Sequence, residues 1–213
     1  KISCVSFTYL NIMICVIDYG YENLNSIKNA IDRLNFQCEV SSDPKIISKS
    51  DKIILPGVGA FSTAIEKLKK NKLDTILSEE VLNKKKPILG ICLGFQLMFS
   101  ESYEFKKTKG LDWINGSVTK IDSDMRLPHN GWNTIKIFKE NELIESNVEK
   151  FFYFNHSLSI KSNDDNFEVL GKTFYGEEFI SIGKKNDNIF GIQPHPEKSQ
   201  IAGLEFLKKF LKL

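Results

Sequence analysis

The feature that most constrains this chain is a short apolar run that ends at a cysteine between glycines. Residues 88–91 read Ile-Leu-Gly-Ile, and Cys92, Leu93 and Gly94 follow. An apolar stretch, 95–99, then continues with helical spacing. This pattern predicts a buried strand, a sharp turn and a helix, with a nucleophile at the tip of the turn. The helix N-terminus would favour the thiolate form of the cysteine.

A second segment near the C-terminus offers the partners that such a nucleophile needs. Residues 193–199 read Gln-Pro-His-Pro-Glu-Lys-Ser, so His195 can act as a base and Glu197 as the acid that orients it. Taken alone, Cys92 would be a buried structural thiol and His195 a loop histidine. The turn together with the downstream His-Pro-Glu favours a catalytic triad instead.

The first half of the chain alternates short apolar strands with helical patterns. Strands are predicted at 14–18, 38–41, 52–55 and 88–91, and helices at 23–35, 61–70 and 73–84. This alternation is typical of an α/β fold with a central, mostly parallel sheet and helices on both faces. Sites in such sheets lie at the carboxyl ends of the strands, where the glycine-rich turns 57–59 and 90–94 fall.

The second half is rich in strands, with few helices between them, which favours antiparallel pairing. The final helix is predicted to carry its apolar face on Ile201, Leu204, Leu207 and Leu211. The strands of this half are predicted at 118–121, 134–138, 151–154, 167–170, 179–183 and 189–192.

Bulk properties limit the function classes. With 213 residues and a net charge of +2, the chain is expected to form one domain and gives no reason to expect nucleic acid as a partner. No apolar run approaches the about 18 residues of a membrane span. Cysteines at positions 4, 15, 38 and 92 form no Cys-x-x-Cys pair, which suits the reducing cytoplasm. Residues 1–12 carry no motif and are expected to be an extension, added by cloning or by an upstream start, before a domain at 13–213.

Several motifs in order carry a resemblance to a known family. The Gly90–Gln96 segment with His195-Pro196-Glu197 resembles the class I, or triad, glutamine amidotransferases. Within them, further motifs resemble the glutaminase subunits of imidazole glycerol phosphate synthases: Asp18-Tyr19-Gly20, Pro56-Gly57-Val58-Gly59, Arg126–Asn133 and Glu197-Lys198-Ser199. The resemblance runs from Met13 to the C-terminus. It implies the flavodoxin-like fold of class I glutamine amidotransferases and a glutaminase that needs no cofactor and no metal.

The resemblance also implies roles for individual residues. Cys92 would attack L-glutamine, with His195 as its base and Glu197 holding the imidazole. The oxyanion hole would be formed by Gly57, Val58, Gly59 and Leu93, although Pro-Gly-x-Gly is also an ordinary turn. The residues expected to bind glutamine are Gln96, Glu104, His156 and Ser157. For Glu104 the alternative is a solvated acid, and for His156 a structural role. The three histidines show no metal-ligand spacing.

The resembled subunits pass ammonia to a (β/α)₈-barrel cyclase in a heterodimer, which makes imidazole glycerol phosphate and aminoimidazole carboxamide ribotide for histidine biosynthesis. The residues expected at that interface are Asn23, Pro128, His129, Asn130, Gly131, Trp132 and Lys198. Trp132 can alternatively cap the core. One departure from the family is Glu22, which stands where glycine is usual and leaves the contact through Asn23 open.

Two other functions remain open from the sequence. A paralogous subunit would supply ammonia for amidination of a surface sugar, and the partner would distinguish it. A catalytically silent scaffold is the alternative of another class, and the intact Cys92, His195 and Glu197 argue against it. The glycines beside Val58 would let its peptide reorient, so the lone chain is expected to turn over glutamine slowly.

Overall fold

The computed structural model describes residues 12–20, 24–144 and 149–213, and within them the centre is a nine-stranded mixed sheet. In spatial order its strands are β2 (Gln37–Ser41), β1 (Met13–Ile17), β3 (Lys52–Leu55), β4 (Ile88–Ile91), β13 (Ile189–Ile192), β12 (Glu177–Lys185), β11 (Phe167–Tyr175), β8 (His129–Ile137) and β9 (Glu149–His156). The first five run parallel and the rest pair antiparallel. A smaller sheet orders β10 (Leu158–Ser162), β7 (Ile114–Lys120), β5 (Phe99–Ser102) and β6 (Thr108–Lys109).

Helices cover both faces of the large sheet, as predicted. They are α1 (Leu24–Arg33), α2 (Pro44–Lys49), α3 (Phe61–Lys70), α4 (Leu73–Ser78), α5 (Leu93–Leu97), α6 (Gln200–Lys212), a π-helix (Glu79–Asn83) and a 3₁₀ turn (Pro196–Lys198). Along β1 the side chains alternate, so Ile14 and Val16 pack with α1 and α6 while Cys15 and Ile17 pack with α3 and α4. The sheet therefore separates two apolar cores.

Strand β13 is the element that assembles the site. The sequence predicts antiparallel neighbours for it, and it does pair that way with β12, but its other neighbour is the parallel strand β4. All four of its residues are buried, as a strand in the centre of a sheet requires. The pairing of Ile192 with Ile91 brings the C-terminal segment beside the elbow.

Two local predictions are wrong, and a third, the helix 73–84, holds with a change of helix type. Helix α5 ends at Leu97, because the N–H groups of Trp113 and Ile114 bond the carbonyl of Met98 and the chain continues into β5. The predicted helix 73–84 becomes a π-helix over its last turn. In α6, Ile201 is exposed and Phe206 and Phe210 are buried, since the bulkier rings take the inner face. Residues 1–11, Glu22 and Asn23 lie outside the described residues.

Candidate functional site

Cys92 occupies a strained turn between β4 and α5. Its φ of 54° and ψ of −113° are unusual for a residue with a side chain, and such strain is common at nucleophiles on sharp elbows. Gly94 allows the elbow to approach β3, because a Cβ there would lie 1.8 Å from the carbonyl oxygen of Leu55. The predicted strand, turn and helix are therefore present, with Cys92 at the tip.

The C-terminal loop brings His195 to this elbow. The backbone N–H of Cys92 donates to the carbonyl of Ile192 at 2.8 Å, which aligns the two strand ends. The loop is held against β9, since the N–H of His195 donates to Tyr153 O at 2.9 Å. The Ser199 hydroxyl donates to His195 O at 2.6 Å and accepts the Tyr153 N–H at 2.9 Å. The base is thus fixed by bonds to its own N–H and its own carbonyl, with Ser199 joining that carbonyl to Tyr153.

His195 and Glu197 form a buried pair. The imidazole Nδ1 lies 2.9 Å from Glu197 Oε1, so Nδ1 carries a proton and Nε2 is left to face the nucleophile. Among the described residues, that Nε2 has no hydrogen-bond partner although it is buried. Burial lowers the pKa of His195, but the charges of Cys92 and Glu197 outweigh it and raise this pKa to about 10.

A pocket of about 240 Å³ opens beside the nucleophile. Its lining residues follow β3, β4 and β5, precede β8, or lie at the junction of β9 and β10. They are Val58, Gly59, Cys92, Leu93, Gln96, Glu104, Pro128, Asn155, His156, Ser157 and Leu158. Every residue expected to bind glutamine is in this set. The structure therefore gathers the predicted substrate residues around the predicted nucleophile.

The Pro-Gly-Val-Gly turn packs directly on the elbow. A Cβ on Gly57 would lie 2.7 Å from the Tyr19 hydroxyl and 2.9 Å from Gly94 N, so only glycine allows this contact. The Tyr19 hydroxyl donates to Pro56 O at 2.6 Å and holds the turn in place. Gly57 supports the pocket from behind, while Val58 and Gly59 line it.

Gln96 and Glu104 present oxygen atoms to the pocket. Both N–H groups of Gln96 are directed inward, since Nε2 lies 3.0 Å from Gln193 Oε1 and 3.4 Å from Leu158 O. Glu104 Oε2 accepts the N–H of Phe61 at the start of α3, at 2.7 Å. The remaining oxygens suit an α-ammonium group, as the predicted role requires.

His156 and His129 form a buried pair of neutral imidazoles. His156 Nδ1 lies 2.8 Å from Leu158 O, and its Nε2 lies 3.3 Å from His129 Nδ1. Burial lowers the pKa of His156 to about 3 and that of His129 to about 4. The sequence predicts His129 at a partner interface, but it is only 3% exposed and stacks on Tyr175 beneath the surface.

Three other predicted interface residues, Asn130, Trp132 and Lys198, meet around one tyrosine. Trp132 is 48% exposed and its ring lies 6.2 Å from that of Tyr153, while Lys198 Nζ lies 5.8 Å above the same ring. The Tyr153 hydroxyl donates to Asn130 at 2.7 Å. We call Asn130, Trp132, Tyr153 and Lys198 the tyrosine patch. Gly131 lies between Asn130 and Trp132 in β8, and Pro128, two residues before Asn130, lines the pocket.

Tyr153 and Gln193 are residues of the site for which the sequence predicts no role, whereas Asn155 belongs to the Asn155-His156-Ser157 segment that the resemblance places at the substrate. Tyr153 follows the outward alternation of β9 between the buried Phe152 and Phe154, a signal that could have identified it. Asn155 lines the pocket, and Gln193 contacts the sulfur of Cys92. The described residues contain no cluster of three metal-ligating side chains. Among the helices described, none has the length and apolar character to cross a membrane.

Comparison with known proteins gives consistent matches over nearly the whole chain. The family model described as Glutamine amidotransferase class-I matches residues 15–213. A Campylobacter jejuni protein named imidazole glycerol phosphate synthase subunit HisH 1 is 43% identical, over 94% of this chain and all of the relative. A Vibrio vulnificus protein named HisH 2 of the same synthase is 45% identical, over 93% of each chain.

Solved structures support the fold. A crystal structure of a glutamine amidotransferase matches with a TM-score of 0.74 and 14% identity, over 93% of this chain and 99% of that one. The glutaminase domain of CTPS from Trypanosoma brucei, bound to acivicin, matches with a TM-score of 0.66 and 13% identity, over 94% of both chains. The predicted fold class is confirmed.

Proposed function

This chain belongs to the class I glutamine amidotransferases, and we propose that it is the glutaminase subunit of an imidazole glycerol phosphate synthase in histidine biosynthesis. The observation that carries this proposal is the meeting of Cys92 with the His195–Glu197 pair at a pocket lined by Gln96 and Glu104. Those groups suit a free amino acid with a carboxamide at its far end.

The geometry supports nucleophilic catalysis by Cys92. The thiol proton passes to Nε2 of His195, and the sulfur attacks the side-chain carboxamide carbon of glutamine. The raised pKa of His195 keeps a proton on the imidazole at neutral pH, ready for the leaving ammonia. The carbon–nitrogen bond then breaks, ammonia leaves with that proton, and a γ-glutamyl thioester remains. Water, deprotonated by His195, hydrolyses the thioester to glutamate and frees Cys92.

The developing oxyanion needs N–H donors, and we assign them to the turn around Val58 and to Leu93. Both residues line the pocket beside Cys92. One such donor typically contributes about 10²–10³ in kcat. The glycines next to Val58 would let its peptide turn a carbonyl to the site, which would keep the lone chain slow until a partner binds.

The released ammonia is proposed to pass to a (β/α)₈-barrel cyclase bound as a heterodimer in the cytoplasm. The tyrosine patch is the surface proposed for it. Its Trp132 and Lys198 are exposed, it carries an aromatic ring and a cation, and its Tyr153 lies two residues from the pocket-lining Asn155 on β9. A direct passage is useful because ammonia in water at pH 7 is mostly ammonium, which is not a nucleophile. The free thiols of Cys15, Cys38 and Cys92 agree with a reducing compartment.

The test is glutamine turnover by the chain alone, with the cyclase of the same organism, and with the cyclase and its nucleotide substrate. We expect turnover to rise at each step and imidazole glycerol phosphate to form only in the last. Full turnover by the lone chain would refute the proposal that the oxyanion hole is inactive until a partner binds. Failure of the cyclase to bind or to make product would refute the assignment to this synthase.

A matched pair of variants tests the surface. Trp132→Ala should weaken binding of the cyclase, because an exposed aromatic ring at an interface centre commonly contributes about 2 kcal/mol or more. Phe138→Ala is the control, since Phe138 directly follows the same strand with a similar exposed fraction, 47% against 48%. Titration of each variant with the cyclase by calorimetry measures both. Equal losses would mean that the tyrosine patch is not the contact.

A further inference from the structure

Gln193 connects the glutamine pocket to the nucleophile without lining the pocket itself. It follows β13 directly and its side chain is completely buried. Its Nε2 lies 3.7 Å from the sulfur of Cys92, and its Oε1 lies 3.0 Å from Nε2 of Gln96. A buried amide is therefore in contact with the atom that reacts.

The direction of this amide is set by a backbone carbonyl. Leu158 O can only accept a hydrogen bond, so the Gln96 atom that faces it at 3.4 Å must be the nitrogen. The same nitrogen faces Gln193, which must therefore present its oxygen to Gln96. The remaining end of Gln193, the N–H donor, is then directed at the sulfur.

We propose that Gln193 is a further catalytic residue, which donates an N–H bond to the sulfur of Cys92 and stabilises its thiolate, while Gln96 holds the donor in that orientation. This rests on Cys92 being the nucleophile, as proposed above. Gln193 takes no proton: the thiol proton goes to His195, and the amide only lowers the free energy of the sulfur anion that remains. Hydrogen bonds to a charged acceptor are worth more than neutral ones.

A competing contact shows why the donor matters. The carbonyl oxygen of Asn155 lies 4.0 Å from the same sulfur and can accept a bond only from the protonated thiol. A carbonyl beside the sulfur therefore favours the unreactive form. The N–H of Gln193 is the nearer of the two contacts and acts in the opposite direction.

The chain provides a matched control for Gln193. Asn188, at the other end of β13, is a second buried amide, and it donates to the main-chain carbonyls of Val81 and Lys86. Both of these bonds go to the main chain, at the opposite end of the strand from the site. Asn188→Leu therefore reports the general cost of removing a buried amide next to this strand, without touching a reacting atom.

The experiment measures alkylation of Cys92 by iodoacetamide against pH, in the full chain, by mass spectrometry. Gln193→Met keeps the length of the side chain but removes the donor. We expect its alkylation at pH 7 to be about tenfold slower, with the midpoint of the pH profile raised by about one unit. Asn188→Leu should lower the melting temperature and leave the midpoint unchanged. In glutamine turnover with the cyclase, Gln193→Met should lower kcat through the lost donor and also raise KM, because Gln193 orients the Gln96 amide that lines the pocket. Asn188→Leu should change neither constant.

An unchanged midpoint in folded Gln193→Met would overturn the proposal, and so would an equal shift in Asn188→Leu. If Gln193→Met does not fold, Gln96→Met decides, because it frees the amide of Gln193 to turn. A smaller shift in the same direction is then expected, and no shift would overturn the proposal. Alkylation needs neither glutamine nor the cyclase, so its outcome is independent of the assignment to a synthase.

Discussion

Buried histidines lie in two parts of the site. The first wall is the His195–Glu197 pair beside Cys92, and the second wall is the His156–His129 pair. The pKa values of the histidines in the two walls move in opposite directions. His195 is 3% exposed and His156 is 6% exposed, so burial acts on both. The pKa of His195 is nevertheless raised to about 10, while that of His156 is lowered to about 3. The difference lies in their neighbours, because His195 faces Cys92 and Glu197, whereas His156 contacts a carbonyl and the neutral His129.

This comparison shows that charged neighbours decide whether a buried histidine holds a proton, and that burial keeps the imidazole neutral where such neighbours are lacking. On one wall the protein keeps an imidazole that holds a proton and can deliver it. On the other wall each imidazole has one fixed tautomer, because Leu158 O makes His156 Nδ1 a donor, and His156 Nε2 then accepts from His129. His129 Nε2 in turn accepts from Asn133. The first wall is built for proton transfer and the second for shape.

The largest effect should come from removing the charge that distinguishes the first wall. Cys92→Ala should lower glutamine-dependent synthesis by about 10⁴-fold or more, because no nucleophile remains. Synthesis from added ammonia should persist, since the cyclase does not need the thiol. The pKa of His195, followed by NMR titration, should fall because burial is then less strongly opposed.

Loss of both activities by an intact complex of this variant would contradict the proposal that this chain only releases ammonia and the cyclase uses it. An unchanged titration of His195 would instead show that Glu197 alone sets the state of the imidazole.

The next effect should come from Glu197→Gln, which keeps the shape of the acid but not its charge. We expect glutamine turnover to fall by about 10²–10⁴-fold, since the amide can favour the wrong tautomer of His195. Steady-state kinetics of the complex measure this. Glu178→Gln, which changes an exposed acid paired with Lys172, is the control and should leave turnover at the wild-type level.

The neutral histidines of the second wall predict that the folded chain loses stability in acid. The pKa values of His156 and His129 are lowered in the folded chain, so the unfolded chain binds protons first as the pH falls below about 6.5. Stability should therefore decrease from about pH 6.5 down to the folded values. Each kcal/mol lost lowers Tm by about 2–4 °C in a domain of this size.

Thermal melts between pH 7 and pH 4 check the sign of this dependence of stability on pH. In His129→Gln the melting temperature should depend less on pH, because one titrating group is gone. In His195→Gln the dependence of the melting temperature on pH below about 6.5 should be unaltered. A raised pKa contributes stability that is lost only as the pH rises through the folded value. A steeper acid slope in His129→Gln would refute the neutral pair.

The smallest effect is expected from Asn133, the outermost donor of the second wall. Asn133→Ala removes its bonds to His129 and to Phe174 O, which should cost about 1 kcal/mol of unfolding free energy. Denaturant titration measures the loss. Turnover should change little, and the alkylation profile of Cys92 should be that of the wild type. A shifted profile would mean that the two walls are not independent.

Short apolar runs made much of the fold predictable. The predicted strands 52–55, 88–91 and 189–192 have the observed bounds, because a short, mostly apolar run is followed in each case by a proline, cysteine or glutamine that begins a turn. The sequence does not predict that the last of these joins β4, since strand pairing across about 100 residues leaves no local pattern. Asp43-Pro44 is typical of a turn, although Asp43 caps α2 and Pro44 begins it.

The candidate site was predictable where residue type and order carry the chemistry. Cys92, His195 and Glu197 needed no structure to be singled out, and the resemblance supplied the pocket residues. Gln193 stands in the same motif as His195, but an amide gains a role only from the atoms that surround it. The resemblance placed His129 at the interface, whereas β8 turns it inward under Tyr175.

The central position of β13 has a consequence for how the chain folds. Until this strand inserts, β4 is an unprotected edge with apolar residues on both faces, which is a surface prone to pairing with other chains. Its partner segment lies about 100 residues further on, so closing the sheet needs slow, non-local contacts. Cys92 would meanwhile have neither His195 nor Gln193 beside it. Cys92 therefore becomes reactive only when β13 completes the sheet, and in a partly folded chain its thiol is not activated.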